Sequence, residues 1–149
     1  MKLSNYLKGN INFLDGVSSW AESIKKAAQP LVDKGFITTQ YIQDMIDNVH
    51  NNGPYIVIVP GIAMPHAENK GAVIKTGVSM LKLNHPVLYP EDKEVSILIV
   101  LAAEYCICHS DFFSNLSSML IDEDIMERFK KVETENEVIE IIQQAEEEE

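Results

Sequence analysis

The most hydrophobic run of the chain, Val95 to Ala103, constrains the fold more than any other stretch. It contains several β-branched side chains, and its only polar residue is Ser96. A continuous apolar run of this kind is typical of a central strand that other elements cover on both faces. The run therefore predicts a sheet at the centre of the molecule.

Strand and helix patterns alternate along the rest of the chain. We predict strands over Ile11–Leu14, Tyr55–Val59 and Val73–Leu83, the second of them buried, and a polar loop from His85 to Asp92. Between the strands, apolar residues recur at helical spacing, and Ser19, Thr38 or Thr39, Asp122 and Thr134 fit helix caps. Strands interleaved with helices favour an α/β sandwich with a partly parallel sheet.

The length and the charge of the chain limit its domain organisation and its binding partners. At 149 residues, 46% of them apolar, the chain is expected to form one domain spanning residues 1–149. Its formal net charge of −11 repels nucleic acid and anionic lipid, and would attract a basic protein surface. Part of that charge lies in Glu146–Glu149, so residues 145–149 are predicted to form an acidic flexible tail.

No segment has the features of a membrane span or a signal peptide. No apolar stretch approaches the length of a span, and residues 1–5 lack the apolar core of a signal peptide. We therefore expect a cytoplasmic protein with no direct membrane insertion. Cys106 and Cys108 are separated by one residue, a spacing more consistent with reduced thiols than with a disulfide framework.

A histidine follows a stretch rich in turn-forming residues. The chain reads Pro60-Gly61-Ile62-Ala63-Met64-Pro65-His66 directly after the strand predicted over Tyr55–Val59. Proline cannot donate to a sheet, and glycine allows backbone angles that other residues avoid. We expect the chain to leave the sheet here as a stiff bend that holds His66 beyond a strand end, where open α/β sheets tend to bind ligands.

His109 comes shortly after the other strong strand, so the two imidazoles would meet at one edge if those strands are neighbours. One histidine could then attack a phosphoryl group while the other stabilises its oxygens. Alternatively, both could bind a metal, or His66 could be a surface turn residue and His109 a helix cap. Spacing alone leaves these alternatives open.

Motifs for other chemistries have little support. A small metal-dependent hydrolase could use His66, His109, Cys106 and Cys108, but structural zinc sites normally use C-x-x-C pairs or a helical histidine pair. The sequence contains no P-loop, no G-x-G-x-x-G fingerprint and no G-x-S-x-G elbow. We expect neither a cofactor nor a bound metal.

The hexapeptide Gly61–His66 resembles that of a known family, the IIA components (EIIA) of the bacterial sugar phosphotransferase system (PTS), of the fructose/mannitol type. The likeness covers nearly the whole chain. Residues that match the family's first two helices and its second histidine segment are Trp20, Leu31, Tyr41, Leu101–Ala103 and His109. Two further segments, Gly53–Ile58 and Lys75–Ser79, resemble the ascorbate-type branch in particular.

The resemblance implies a fold and a role. The fold is a mixed, mostly parallel sheet of about five strands sandwiched between helices. The role is that of a phosphotransferase component: His66 would accept a phosphoryl group at Nε2 from the phosphocarrier protein HPr, giving tele-phosphohistidine. It would pass the group to a cognate EIIB, and through it EIIC, for uptake of a sugar such as ascorbate or a pentitol. His109 would stabilise the phosphoryl oxygens.

A regulatory relative is the alternative, with the same fold and the same phosphorylated histidine but signalling carbon or nitrogen status. The mannitol-type branch carries an arginine sixteen residues before the active histidine, where this chain has His50, and this argues against a mannitol assignment. We do not place His50 in the site. Shielding of a phosphoimidazole from water predicts a shallow depression ringed by Ile62, Met64 and Phe112.

Overall fold

The computed structural model of the chain describes residues 3–104, 119 and 122–147. The helices are α1 (Leu3–Leu7), α2 (Trp20–Asp33), α3 (Thr39–Asn52), α4 (Glu123–Lys131) and α5 (Glu135–Glu147). The strands are β1 (Ile11–Leu14), β2 (Val57–Val59), β3 (Gly61–Ala63), β4 (Gly77–Tyr89) and β5 (Lys93–Ala102). No helix in the described part of the chain combines the length and the apolar character needed to cross a membrane.

The five strands form one mixed sheet in the order β1-β4-β5-β3-β2. β1 pairs with β4, and β3 with β5, in parallel, whereas β4–β5 and β2–β3 are antiparallel. The predicted α/β sandwich with a mixed sheet of five strands is confirmed. The prediction of a mostly parallel sheet is wrong, because two of the four pairings belong to antiparallel hairpins.

β5 is the central strand, as its sequence predicts, and both of its faces are covered. Leu98, Val100 and Ala102 pack in a cluster with apolar side chains of α2 and α3. The alternate residues Ile97 and Ile99 pack in a second cluster with α1, α4 and α5. The period-2 geometry of a strand thus explains why the run carries almost no polar residue.

β4 begins later and ends later than predicted. The strand predicted over Val73–Leu83 runs from Gly77 to Tyr89, so residues 85–89, predicted as loop, remain in the sheet. The pairing with β5 shifts register between Lys82 and Val87. Pro86 lies within that irregular stretch, where a missing N–H does not interrupt the regular ladder.

The Pro60–Gly61 pair reverses the chain within the sheet, which corrects the prediction that the bend leaves it. Gly61 has a φ of 89°, a left-handed value that glycine adopts without steric cost. The reversal makes β3 antiparallel to β2 and parallel to β5. The buried strand predicted over Tyr55–Val59 is correspondingly a three-residue edge strand, and Ile58 in it is 40% exposed.

The last helix, α5, follows the predicted capping box. The Glu137 N–H donates to Thr134 Oγ1 at 3.2 Å, and the Glu137 carboxylate accepts from the same hydroxyl at 3.1 Å. α5 extends to Glu147, so three of the five residues predicted as a flexible tail are helical. Residues 148–149 lie outside the described part of the chain.

Candidate functional site

His66 lies three residues after β3, at the sheet edge where the parallel strands β3 and β5 end. Pro65 continues beside β5, because the Leu101 N–H donates to its carbonyl oxygen at 3.0 Å. The predicted adjacency of the two strand ends is therefore present, although the strand before His66 is β3 rather than the Tyr55–Val59 run. His109 lies outside the described residues, so its meeting with His66 stays a prediction.

The half-buried ring of His66 makes a short hydrogen bond within its own loop. Its Nδ1 lies 2.7 Å from the carbonyl oxygen of Met64. A carbonyl oxygen can only accept, so Nδ1 carries the hydrogen and donates it. In the neutral imidazole Nε2 then holds an unshared electron pair, which suits it to act as a nucleophile.

Tyr41 of α3 ties the loop of His66 to β5. Its side chain is fully buried, and its hydroxyl donates to the Leu101 carbonyl oxygen at 2.7 Å. The Ala67 N–H donates to the same hydroxyl at 3.1 Å. Burial raises the pKa of Tyr41 to about 12, so the phenol remains a neutral donor at physiological pH. The residue directly after His66 is thereby fixed to the central strand.

Asn48 and Tyr55 form a second set of contacts that our sequence reasoning missed. The Asn48 amide donates to the carbonyl oxygen of His66 at 3.1 Å and also contacts the Tyr55 hydroxyl. The Tyr55 ring stands at 89° to the His66 imidazole, with 5.8 Å between ring centroids. A signal for Asn48 was present, because its helical spacing from Tyr41 and Met45 places it on the buried face of α3.

His50 contacts a different part of the molecule. Its exposed side chain lies edge-on to the Trp20 ring, with 5.0 Å between centroids. The α3 side chain that bonds the His66 loop is Asn48, two residues earlier. Residues two apart on a helix do not face the same way, so Asn48 and His50 lie on different faces of α3.

The remainder of the loop is held by Asn69. Its side-chain oxygen accepts from the N–H groups of Gly71, at 2.9 Å, and Val73, at 3.1 Å. Its amide also donates to the Glu104 carbonyl oxygen at 3.2 Å, just beyond β5. Glu104 in turn exchanges two 3.1 Å hydrogen bonds with Thr76. The loop after β3 and the exit of β5 therefore form one connected unit.

The predicted apolar rim of the site is wrong for the two described residues. Ile62 and Met64 are each 1% exposed, and both pack in the cluster beneath the sheet with α4 and α5. Tyr55, at 48% exposed, is the large apolar ring that flanks His66 instead. Phe112, the third predicted member, lies outside the described residues.

The part of the chain that the structure describes contains no cluster of side chains suited to bind a metal ion. Within residues 3–104, 119 and 122–147, no group of three or more His, Cys, Asp or Glu side chains is placed to hold an ion. Cys106, Cys108 and His109 lie outside those ranges, so the sulfur-containing set weighed as an alternative from the sequence is not tested. The described geometry instead presents one histidine nitrogen on a fixed loop.

A family model covers most of the chain. The model of the phosphoenolpyruvate-dependent sugar phosphotransferase system, EIIA 2, matches residues 6–145. The chain belongs to this EIIA family. It is thus a sugar-transport component of the PTS with a part in phosphotransfer, as the residues around His66 indicated.

Two similar curated relatives come from Escherichia coli (strain K12). This EIIA chain is 35% identical over 144 residues to a mannitol-specific cryptic phosphotransferase enzyme IIA component, covering 95% of this chain and 98% of the relative. It is 33% identical over 147 residues to an ascorbate-specific PTS system EIIA component, covering 95% and 96%. The names of the two relatives specify different sugars, and this chain is almost equally similar in sequence to both.

Solved structures agree with the fold. The solution structure of the Escherichia coli mannitol-specific cryptic enzyme IIA superposes with a TM-score of 0.87 at 34% identity, covering 97% of this chain and 99% of that one. Enzyme IIA of mannitol from the same species was solved in complex with phosphorylated enzyme IIB. It superposes with a TM-score of 0.77 at 27% identity, covering 91% of this chain and 94% of that one. Nitrogen regulatory protein IIA-Ntr of Neisseria meningitidis gives 0.77 at 20% identity over 94% and 98%, which shows the shared fold alone.

Proposed function

We propose that this EIIA chain is a phosphocarrier in sugar uptake, and that Nε2 of His66 accepts the phosphoryl group from phospho-HPr and passes it to an EIIB partner. The hydrogen bond of His66 Nδ1 to the Met64 carbonyl carries this proposal. It assigns the proton to Nδ1 and leaves Nε2 as the nucleophile. Family membership supports the reaction class, and this bond supports Nε2 as the attacking atom.

The transfer step needs no proton to leave the attacking nitrogen. A bond forms between the Nε2 electron pair and phosphorus while the bond from phosphorus to the donor breaks. As this happens the imidazole gains positive character, and the Nδ1–H becomes a stronger donor to the Met64 oxygen at 2.7 Å. In the second transfer the Nε2–phosphorus bond breaks as the acceptor of EIIB takes the group.

Rigid placement of His66 supports the same role. Phosphoryl transfer depends mainly on positioning and on donors to the phosphoryl oxygens. The residues on either side of His66 are bonded to β5 and to Tyr41, and its own carbonyl is bonded to Asn48. His109, which follows β5 in sequence, is proposed to donate to the phosphoryl oxygens.

The proposed partners are HPr as donor, EIIB as acceptor and, through EIIB, the sugar-transporting EIIC. An Escherichia coli relative of the same fold was solved with its phosphorylated enzyme IIB, and this supports an EIIB partner here. We propose ascorbate or a pentitol-like sugar, from the Gly53–Ile58 and Lys75–Ser79 segments. Replacement of the EIIA of an ascorbate or a mannitol system by this chain in vivo would show which sugar supports growth.

Reconstituted phosphorylation tests the acceptor residue. With phosphoenolpyruvate, Enzyme I and HPr, we expect labelled phosphate on the wild-type chain and none on His66→Ala. His85→Ala is the matched control, since His85 is an exposed histidine of β4 outside the His66 loop. Label that persists on His66→Ala would contradict the proposal, as would loss of label from the His85 variant alone.

The role of His109 needs a separate measurement. A His109→Ala variant should still accept the phosphoryl group but pass it to EIIB more slowly, because a donor to the transferring oxygens is lost. Single-turnover transfer from the phosphorylated variant to EIIB measures this rate. A rate equal to that of the wild type would show that His109 does not act on the phosphoryl group.

A further inference from the structure

A cavity of about 400 Å³ opens at the end of the sheet where β5 stops and His66 lies. It lies beside the start of β1 and β4 rather than beside β3. Three lysines line it, Lys8, Lys34 and Lys75, together with polar groups of Asn5, Asn10 and Thr76. The family reaction as proposed above uses none of these residues. The cavity is therefore a feature that the phosphocarrier role leaves unexplained.

The lining of this cavity carries more positive than negative charge, although the Glu135 carboxylate also lies nearby, accepting from the Gly9 N–H at 3.1 Å. The chain as a whole has a formal net charge of −11, yet three of its 12 basic residues converge here. Across the described residues the ion pair found within 4.0 Å joins Lys130 to Glu127, far from these lysines in sequence. Glu104 is the acidic residue in the lining, and its carboxylate accepts from the Thr76 N–H at 3.1 Å.

Two of the ammonium groups, those of Lys34 and Lys75, are held in place by uncharged groups. Lys34 Nζ donates to the Gly9 carbonyl at 3.2 Å and contacts the side-chain oxygen of Asn10. Asn10 is itself only 4% exposed, and its amide is fixed by bonds of 2.9 Å to the Tyr6 carbonyl and 3.1 Å to the Val78 carbonyl.

Lys75 is oriented in a different way. Its Nζ stands 5.0 Å from the centre of the Phe36 ring, which also lines the cavity. A cation over an aromatic face keeps its full charge, and neutral oxygen acceptors likewise leave the charge of Lys34 available. The arrangement orders positive charge without cancelling it.

We propose that this cavity binds a small phosphate monoester, with Lys8, Lys34 and Lys75 contacting its phosphate group. Lysine binds phosphate as a point charge, and the three lysines with the lining carboxylate of Glu104 leave a formal charge of +2, which matches that of a dianion. The cavity volume of about 400 Å³ exceeds that of the phosphate alone and leaves room for a small organic part. The site does not require His66 and is independent of the proposed phosphocarrier function.

The cavity is connected to the loop of His66 by hydrogen bonds. Thr76 lines the cavity and bonds Glu104, and the Glu104 carbonyl accepts from Asn69 in that loop. Binding should therefore shift the amide resonances of Thr76 and Asn69 together with those of the lining residues. This pattern distinguishes the cavity from diffuse ion binding at the surface.

NMR titration of the ¹⁵N-labelled full chain tests the proposal. Inorganic phosphate, glycerol 2-phosphate and glycerol are added separately, with sodium chloride adjusted to keep ionic strength constant. We expect saturable shifts at the cavity amides with glycerol 2-phosphate, weaker binding of inorganic phosphate and none of glycerol. Non-saturating shifts with glycerol 2-phosphate would overturn the proposal, and tighter binding of inorganic phosphate would overturn the assignment to a monoester.

Charge-removing variants identify the site. Lys75→Met keeps an apolar stem against Phe36 and should weaken glycerol 2-phosphate binding about tenfold, the effect of losing one charge-assisted contact. Lys8→Gln, at an exposed position, should act in the same direction, whereas Lys25→Met on α2 is the matched control. An unchanged affinity in both cavity variants, or an equal loss in the control, would contradict the assignment. His66→Ala should retain binding, so failure here is separable from failure of the phosphocarrier role.

Discussion

The two antiparallel hairpins of the sheet differ in almost every physical respect. The β4–β5 hairpin has strands of 13 and 10 residues at the centre of the sheet, and β5 is buried along nearly all of its apolar run. The β2–β3 hairpin has strands of three residues each at one edge, with Ile58 40% exposed. The first hairpin is mostly buried, whereas the second leads directly into the loop of His66, the proposed phosphoryl acceptor.

This difference shows how an accessible histidine can still be rigid. The short edge hairpin has too few ladder bonds to fix the loop that follows it. The loop is instead bonded to β5 through Leu101 and to α3 through Tyr41 and Asn48. The side chain of His66 is therefore only half-buried, while its position is set by bonds to the buried central strand and to α3.

Truncation of one apolar side chain in each hairpin gives the largest expected contrast. Leu98→Ala in β5 removes a fully buried side chain and should lower the free energy of unfolding by about 3 kcal/mol. Ile58→Ala in β2, at a half-exposed edge position, should lower it by less than about 1 kcal/mol. Urea denaturation measures the free energy of unfolding of both variants. Similar losses in the two would show that the central and edge hairpins do not differ in their contribution to stability.

Removal of the Tyr41 hydroxyl should have the next largest effect on stability. Tyr41→Phe leaves the Leu101 carbonyl and the Ala67 N–H without their shared partner, at a cost of about 1–3 kcal/mol. Phosphorylation by phospho-HPr should also slow, because the residue after His66 is no longer fixed. A variant that keeps both the wild-type stability and the wild-type rate would show that this link does not position the loop.

The same tyrosine gives a pH dependence of stability at alkaline pH. Burial raises the pKa of Tyr41 from 10.0 to about 12, so between these values the unfolded chain loses its proton while the folded chain keeps it. Stability is therefore complete below pH 10 and falls as pH rises toward 12. Burial raises the pKa of Tyr89 in the same direction.

Tyr41→Phe should make that decline shallower without abolishing it, because Tyr89 remains. Urea midpoints measured for the variant and the wild type at a series of alkaline pH values give the comparison. A decline of equal steepness in the two proteins would show that the Tyr41 hydroxyl is not protected from ionisation by the fold.

Asn48→Ala should affect stability least and phosphotransfer selectively. The side chain is half-buried, and its loss should lower the free energy of unfolding by roughly 1 kcal/mol. The rate of phosphorylation of Asn48→Ala should fall below that of Gln43→Ala, the control on the same helix, where the Gln43 amide bonds Asp47. Equal rates for the two variants would show that the bond to the His66 carbonyl is dispensable.

Much of the central hairpin could be predicted from the sequence, because a long apolar run permits few environments. The edge hairpin could not. The Tyr55–Val59 run has the composition of a buried strand, and the sequence alone does not show that Gly61 at a φ of 89° returns the chain into the sheet. The extent of β4 was also missed, since the register shift that accommodates Pro86 depends on pairing with β5.

His66 could be singled out from the sequence, whereas of the residues that hold its loop only Asn48 carried a signal there, its place on the buried face of α3. His66 follows a distinctive proline and glycine pattern that the family shares. Asn48 and Tyr55 reach it through the packing of α3 against the edge hairpin, a contact between segments that no local pattern encodes. His50, which we did not place in the site, lies two residues from Asn48 and so on a different face of α3.

The position of the phosphoryl group on the ring tests the central claim most directly. NMR of the phosphorylated, ¹⁵N-histidine-labelled chain distinguishes Nε2 from Nδ1 by the coupling of each nitrogen to phosphorus. Because Nδ1 donates to the Met64 carbonyl at 2.7 Å, we expect phosphorus on Nε2 of His66 and a retained proton on Nδ1. Phosphorus on Nδ1, or on any other histidine, would contradict the account.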